Sequence, residues 1–394
     1  MTGLRTLLAA LVAVTGGLGA TAAQPAAGAA SADASARAAS APTTVQITRF
    51  LGEQRLPHMM RLDGTVVGGI SGFDRDPASG TWYFISDDRW RYDPARFYTG
   101  TLQFDPRTGR FTAVRLTRAV TLRRPDRGPY PGYGKPGSAD PESVRFDPRS
   151  GRLLWASEGD RPTPAKPDIP ISGQFLRWSD RDGGYRGDLH LPAGLRLTGT
   201  DRGPRRNQGI EGLALARHTI AAAIEGPRHE DGPPPTVRHG APVRITTWTR
   251  HGTIRGQYAY PLDRLPAAPD PPDGDFETGI SEILAVDDHR YLALERSWIQ
   301  GVGYKVKLYE FDLRGATNVL GRGSLTTGRY HPVRKRLVLD LSTVRSPVQN
   351  LEGFAWGPRL ATGECTLIIG SDDNFDAFGT GEVNQFLAFA TRTC

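Results

Sequence analysis

Several absences in this 394-residue chain narrow what it can be. It has two cysteines, three methionines and eight histidines, and only five of its 49 basic residues are lysine. Two cysteines exclude a disulfide-dense scaffold and a four-cysteine zinc site. The histidines form no H-E-x-x-H pattern, which argues against a zinc hydrolase of that type. Gly68 to Phe73 reads G-G-I-S-G-F and does not match G-x-S-x-G, so the nucleophile elbow of a serine hydrolase is missing. No segment keeps helical periodicity over three turns, and 31 Pro with 47 Gly do not suit a helical protein. Apolar runs of membrane-spanning length are also lacking, the nearest (7–14) being short and followed by glycines. Net charge is +7, yet 42 acids almost balance the bases and no basic stripe stands out, so nucleic acid is not an expected partner.

What is present begins with an export signature. Arg5, the apolar run 7–14 and Ala20-Thr21-Ala22 form a positive region, a hydrophobic region and a small-residue cleavage pattern. The reading is a signal peptide at 1–23, an Ala/Ser-rich lead-in at 24–43 with little to bury, and one folded domain at 44–394. The mature protein is expected outside the cytoplasm, with Cys365 and Cys394 forming one disulfide that staples the terminal strand.

The folded part alternates apolar and polar residues between Gly, Pro, Asn and Asp, which is strand patterning. Three turns share one chemistry: Asp74-Arg-Asp-Pro-Ala-Ser-Gly80, Asp105-Pro-Arg-Thr-Gly109 and Asp147-Pro-Arg-Ser-Gly151. Asp-Pro starts a turn and the later Gly supplies positive φ, so each specifies a hairpin. Five repeats follow, at about 64–120, 140–192, 207–262, 279–342 and 350–394. The expected fold is an all-β propeller of five or six four-stranded blades. The last repeat lacks a fourth strand, and Thr44-Val-Gln-Ile-Thr-Arg-Phe50 is expected to supply it and close the ring. Long Pro/Gly-rich insertions at 123–139, 161–170, 228–242 and 263–275 occupy matching places and should share one face, the entrance to the site.

Each repeat also carries a two-part acidic phrase. The first half is Gly69-Ile-Ser-Gly-Phe73, Asp140-Pro-Glu-Ser-Val144, Gly209-Ile-Glu-Gly-Leu213, Gly279-Ile-Ser-Glu-Ile283 and Asn350-Leu-Glu-Gly-Phe354. The second half is Ser86-Asp-Asp-Arg89, Ser157-Glu-Gly-Asp160, Ile224-Glu-Gly-Pro227, Leu294-Glu-Arg-Ser297 and Ser371-Asp-Asp-Asn374. Aligned acid to acid, the spacings are 16 (142 to 158), 14 (211 to 225), 13 (282 to 295) and 20 (352 to 372), with Ser71 in place of the first acid in the first copy. Up to eleven carboxylates would then converge on one channel and repel unless neutralised. Calcium suits such oxygen ligands, and the expected metal-binding set is Asp87, Glu142, Glu158, Glu211, Glu282, Glu295, Glu352 and Asp372. Arg89, Arg161, Arg228 and Arg296 are the competing neutralisers, and capping of loops by the acids is the structural alternative.

Taken together, Gly69-Ile-Ser-Gly-Phe73, Asp140-Pro-Glu-Ser-Val144, Asn207-Gln-Gly-Ile-Glu-Gly212, Ser281-Glu-Ile283, Asn350-Leu-Glu-Gly353 and Ser371-Asp-Asp-Asn374 resemble the bacterial phytase-like family described as having esterase-like activity of phytase. The likeness spans about 60–390. It implies a propeller distantly similar to the alkaline phytases, which cleave phosphomonoesters with calcium in an acidic channel. On that basis the chain is expected to be a secreted, monomeric esterase or phosphoesterase acting on a small anionic ester. Glu211, Glu225 and Glu282 are then the candidate catalytic carboxylates, and Arg89, Arg228 and Arg296 the candidate substrate clamps. The alternatives are a non-catalytic binding propeller with a structural metal, and a metal-dependent lactonase, for which Asn207, Asn350 and Asn374 are the candidate ligands.

Overall fold

The computed structural model describes residues 44–377 and 379–394, so the expected signal peptide (1–23) and lead-in (24–43) lie outside the described residues. Five four-stranded antiparallel sheets stand in a ring, which settles the blade number at five. Blade 1 runs from its innermost strand outward as Ile70–Arg75, Trp82–Ser86, Arg96–Phe104 and Phe111–Thr121. Blade 2 is Pro141–Asp147, Arg152–Ser157, Phe175–Ser179 and Tyr185–Leu189. Blade 3 is Ile210–Leu215, Thr219–Ile224, Pro242–Thr249 and Ile254–Pro261. Blade 4 is Phe276–Ala285, Arg290–Ile299, Gly303–Asp312 and Arg334–Asp340.

Blade 5 takes three strands from the end of the chain, Asn350–Trp356, Cys365–Asp372 and Gln385–Thr391. Its fourth is the N-terminal strand Ile47–Arg55, paired antiparallel with Gln385–Thr391 from Ile47 opposite Thr391 to Arg55 opposite Gln385. The ring is therefore closed by the N-terminal strand as expected, which removes an open edge between the two ends of the fold. Cys365 and Cys394 form the disulfide within this closing blade.

The hairpins follow the turn chemistry of the sequence. Asp147 accepts from the Arg149 amide at 2.9 Å and from Ser150 Oγ at 2.7 Å, and Gly151 takes φ +67° to complete the turn. Asp105 and Asp76 organise the same turn in blade 1. The only helical elements among the described residues are four three-residue 3-10 turns. None of the described helices is long and apolar enough to cross a membrane.

The core lies between blades, as period-two strands require. Phe73 and Phe84 of blade 1 pack against Phe386 of blade 5, with Trp82 against Phe73 in the same cluster. Blades 2 to 4 share a second cluster around Leu176, Ile210, Ile245, Trp248 and Phe311. Buried Arg145 of blade 2 ties the innermost strands together. It donates to the carbonyls of Phe73 (2.9 Å), Leu213 (2.6 Å) and Ile283 (2.9 Å), in blades 1, 3 and 4, and ion-pairs with Glu282 at 2.8 Å.

Candidate functional site

Each innermost strand carries a register shift near its start, and the shift decides which side chain faces the ring opening. Pairing across it joins Ile70 to Ser86, Pro141 to Ser157, Ile210 to Ile224, Ile280 to Glu295 and Leu351 to Ser371. The unpaired residue just inside is Ser71, Glu142, Glu211, Ser281 or Glu352, with Ser143 also unpaired in blade 2. One step beyond the second-strand partner stands Asp87, Glu158, Glu225, Arg296 or Asp372. A bulge re-aims the residue it leaves unpaired, so these ten positions are structurally equivalent across the blades.

Blade 4 is thereby corrected. Its equivalents are Ser281 and Arg296, whereas acid-to-acid alignment selects Glu282 and Glu295, each one residue away. One residue along a strand reverses the face. Glu282 is fully buried at the centre, where its carboxylate accepts from Ser143 Oγ (2.6 Å) and the Leu213 amide (2.7 Å) and pairs with Arg145. Burial pushes that carboxyl up to about 7 against the opposing pull of Arg145. Glu295 turns toward Tyr260 Oη, which donates to it at 2.7 Å, and toward Lys335 and the Asp263 amide. Neither side chain lines the cavity described next.

A cavity of about 1720 Å³ opens on the face where second strands end. Strands alternate in direction, so the connections from second to third strand and from blade to blade also emerge there, and the insertions contribute Tyr133, Lys166 and Asp275 to its walls. Deep in the cavity lie Asp87, Glu142, Glu158, Glu211 and Glu352. Asp140, Glu142 and Glu158 of blade 2 are all buried, and one ligand oxygen from each lies within 4.8 Å of the others. Ser71 Oγ donates to Glu142 at 2.9 Å.

The carboxyls of Asp87, Glu142, Glu158, Glu211 and Glu225 all sit well above the usual carboxylate range. Burial is the largest cause in each, followed by repulsion from neighbouring acids such as Glu211 on Glu142 and Glu158 on Glu211. Two arginines offset part of this charge. Arg89 ion-pairs with Asp140 at 3.0 Å and donates to Asn207 Oδ1 at 3.2 Å. Arg296 donates to Glu225 at 2.9 Å and to Asn350 Oδ1 at 2.8 Å, with Glu352 3.8 Å away.

Of the expected substrate clamps, Arg89 and Arg296 thus face the cavity. Arg228 does not: it is buried against Asp231 at 2.9 Å and against the carbonyls of Gly194 and Gly323. Asp372 is buried beside the cavity and raised by burial and by the charges of Asp87 and Glu352. Glu211 lines the cavity and has no hydrogen-bond or ion-pair partner among the described residues. Asp140, which immediately precedes the strand Pro141–Asp147 and lies outside the expected metal-binding set, completes the acidic trio; its spacing of two residues from Glu142 is the signal the sequence offers. Glu277, Tyr133, Trp90 and Tyr304 on the cavity walls carried no sequence signal at all.

The acidic group fits a hard cation on structural grounds. Both Asp140 carboxylate oxygens and Glu225 Oε2 are buried with no hydrogen-bond donor, leaving only the Arg89 ion pair at Asp140. Ionised, such buried oxygens without donors call for positive charge, their alternative being protonation, and an oxygen-only set suits calcium better than zinc. Asn207 and Asn350 do not fit the lactonase set. Each bridges an arginine to a glutamate, Asn207 from Arg89 to Glu277 and Asn350 from Arg296 to Glu352, so their amides are already used.

Comparison with known proteins gives a family match. The phytase-like family, described as esterase-like activity of phytase, matches residues 65–375. No curated protein matches the sequence. Among solved structures, the GH43 BlXynB protein from Bacillus licheniformis is similar at 12% identity and TM-score 0.38, covering 81% of this chain and 50% of that one. Lignostilbene dioxygenase from Pseudomonas brassicacearum is similar at 13% identity and TM-score 0.31, covering 77% and 53%. The chain thus spans about half the length of both. A glucose dehydrogenase is similar at 12% identity and TM-score 0.38, covering 86% and 98%.

Proposed function

The chain belongs to the phytase-like family, and from that premise we propose that it is an exported, monomeric hydrolase of ester bonds, with a small phosphate ester as substrate and calcium held by Asp140, Glu142 and Glu158. The observation that carries this reading is the buried trio itself, whose ligand oxygens lie within 4.8 Å of one another and of which Glu142 and Glu158 line the same cavity as Arg89. Calcium bound there would neutralise the charge that develops on the ester oxygens. Asp87, Glu352 and Asp372 add negative charge around the trio and are the candidates for further ligands.

The protein's own groups take the remaining roles. Arg89, partly exposed on the cavity wall, binds and orients the anionic group of the substrate. Glu211 is the general base: it reaches the cavity, has no competing partner, and its raised proton affinity suits it to take a proton from the attacking water. Glu225 is tied to Arg296 and holds that guanidinium toward the cavity, which makes it a positioning residue. The disulfide between Cys365 and Cys394 supports export, since such bonds persist in oxidising compartments.

The test is hydrolysis of aryl phosphate and aryl carboxylate esters with calcium and with chelator. Chelator-sensitive phosphate release that is lost in Glu211→Gln supports the reading. Background rates under every condition, with calcium still bound, would instead leave a binding propeller.

A further inference from the structure

The walls of the cavity do not match its acidic floor. Only five aromatic side chains among the described residues are exposed, and three of them, Trp90 (40%), Tyr133 (41%) and Phe276 (40%), line this one cavity. Exposed aromatics gathered at one opening mark a binding surface. The volume points the same way, since about 1720 Å³ exceeds what a bare phosphate or a short alkyl ester fills.

Trp90 is also held in an unusual backbone state. Its φ is +64°, a left-handed conformation that bulky residues avoid. Such a conformation persists only where the surroundings enforce it, and here they do. Buried Asp88 accepts from the amides of Arg91 (2.6 Å), Tyr92 (3.2 Å) and Asp93 (2.9 Å), and pairs with buried Arg96 at 2.8 Å. The loop is clamped around the tryptophan, yet 40% of the residue's surface stays exposed.

Tyr133 is fixed beside it. The Tyr133 amide donates to the Arg89 carbonyl at 2.9 Å, Gly132 lies against Trp90, and Arg206 donates to Tyr133 Oη at 3.0 Å. The Arg89 guanidinium, 5.7 Å from the Tyr133 ring centre, links this pair to Asp140. Two anchored, partly exposed aromatic residues thus stand next to the arginine that pairs with Asp140 of the acidic trio.

We propose that Trp90 and Tyr133 form a stacking platform for a flat six-membered ring, aryl or pyranose, carried by the ester substrate next to its reacting bond. The platform rests on the ester-hydrolase reading and adds the class of group attached to the ester. Ring faces stack on aromatic side chains with little loss of freedom, and a preformed platform strengthens that contact.

Calorimetry on the mature chain in calcium tests this without turnover. The ligands are methylphosphonate, phenylphosphonate and the phosphonate analogue of glucose 1-phosphate. The platform requires at least one ring-bearing ligand to bind about 2- to 10-fold more tightly than methylphosphonate. Which of the two gains affinity identifies the aryl or the pyranose source. Trp90→Ala collapses the gap and Trp90→Phe retains most of it; Tyr133→Ala provides the same reading if the first variant is poorly folded. Equal affinities for all three ligands, no binding of any, or a gap that survives both alanine variants would overturn the platform. The two readings fail separately. Ring preference without hydrolysis of any ester removes the hydrolase and keeps the platform, whereas hydrolysis without ring preference does the reverse.

Discussion

Glu211 and Glu282 occupy neighbouring innermost strands, and the same isosteric change should affect them in opposite ways. Glu282 is buried and paired with Arg145, which is itself bonded to carbonyls of three other blades. Removing one partner of a buried pair leaves the other charge uncompensated, at a cost of about 3–5 kcal/mol. Glu282→Gln is therefore expected to lower the urea midpoint by a corresponding amount; a variant as stable as the parent would refute the central ion pair. Glu211 has no partner and is repelled by Glu158 and Glu225. Glu211→Gln should leave stability equal or slightly higher while reducing ester hydrolysis about 100-fold or more, the usual scale for losing a general base. In the sequence the two carboxylates look alike, because Gly209-Ile-Glu-Gly and Gly279-Ile-Ser-Glu differ by one position. That position decides whether the acid meets Arg145 or the cavity.

At the scale of the strand, the residue after the bulge explains why three blades place glycine there. A Cβ at Gly212 would lie 2.9 Å from the Ile283 amide nitrogen and 3.2 Å from the Glu282 carbonyl carbon, both backbone atoms of the next innermost strand. At Gly72 it would lie 2.8 Å from the Glu142 carbonyl oxygen. Backbone cannot swing aside as a side chain can, so the blades themselves would have to part. Gly212→Ala is expected to destabilise by about 1–3 kcal/mol, the range for overpacking a core, read as a lower denaturant midpoint. The hairpins were legible because their chemistry is local: an Asp caps the turn and a Gly completes it. The register of blade 4 was not, since a β-bulge is defined by what lies across the ladder. Trp90 escaped for a related reason, as its role depends on Asp88 and on a loop from the next blade connection.

At the scale of the whole molecule, the acidic cavity ties stability to pH and to cations. Asp87, Glu142, Glu158, Glu211 and Glu225 have folded-state proton affinities raised chiefly by burial. Groups raised in this way bind more protons folded than unfolded, so stability falls as pH rises above the unfolded carboxylate values of about 4. Without calcium the melting temperature should fall between pH 5 and pH 8. Calcium needs the ionised carboxylates, so it should restore stability more at pH 8 than at pH 5, by about 2.7 kcal/mol at a hundred times its dissociation constant. An equal effect at both pH values would count against the acidic trio as its site. Replacing Cys365 and Cys394 together by serine should cost about 3 kcal/mol, seen as a lower midpoint, because the bond restrains the blade that closes the ring. Strand patterning, turn chemistry and five spaced phrases were enough to specify a propeller, since these depend on neighbours in the chain. The missing fourth strand of the last repeat pointed to closure by the N-terminal strand, while the count of five blades came from the sheets themselves. Which acids meet was decided only by tertiary structure. Asp140 joins Glu142 and Glu158, Arg296 takes an acid's place, and Glu282 goes to the centre, because pairing register and contacts between blades, not position in the sequence, set the direction of each side chain.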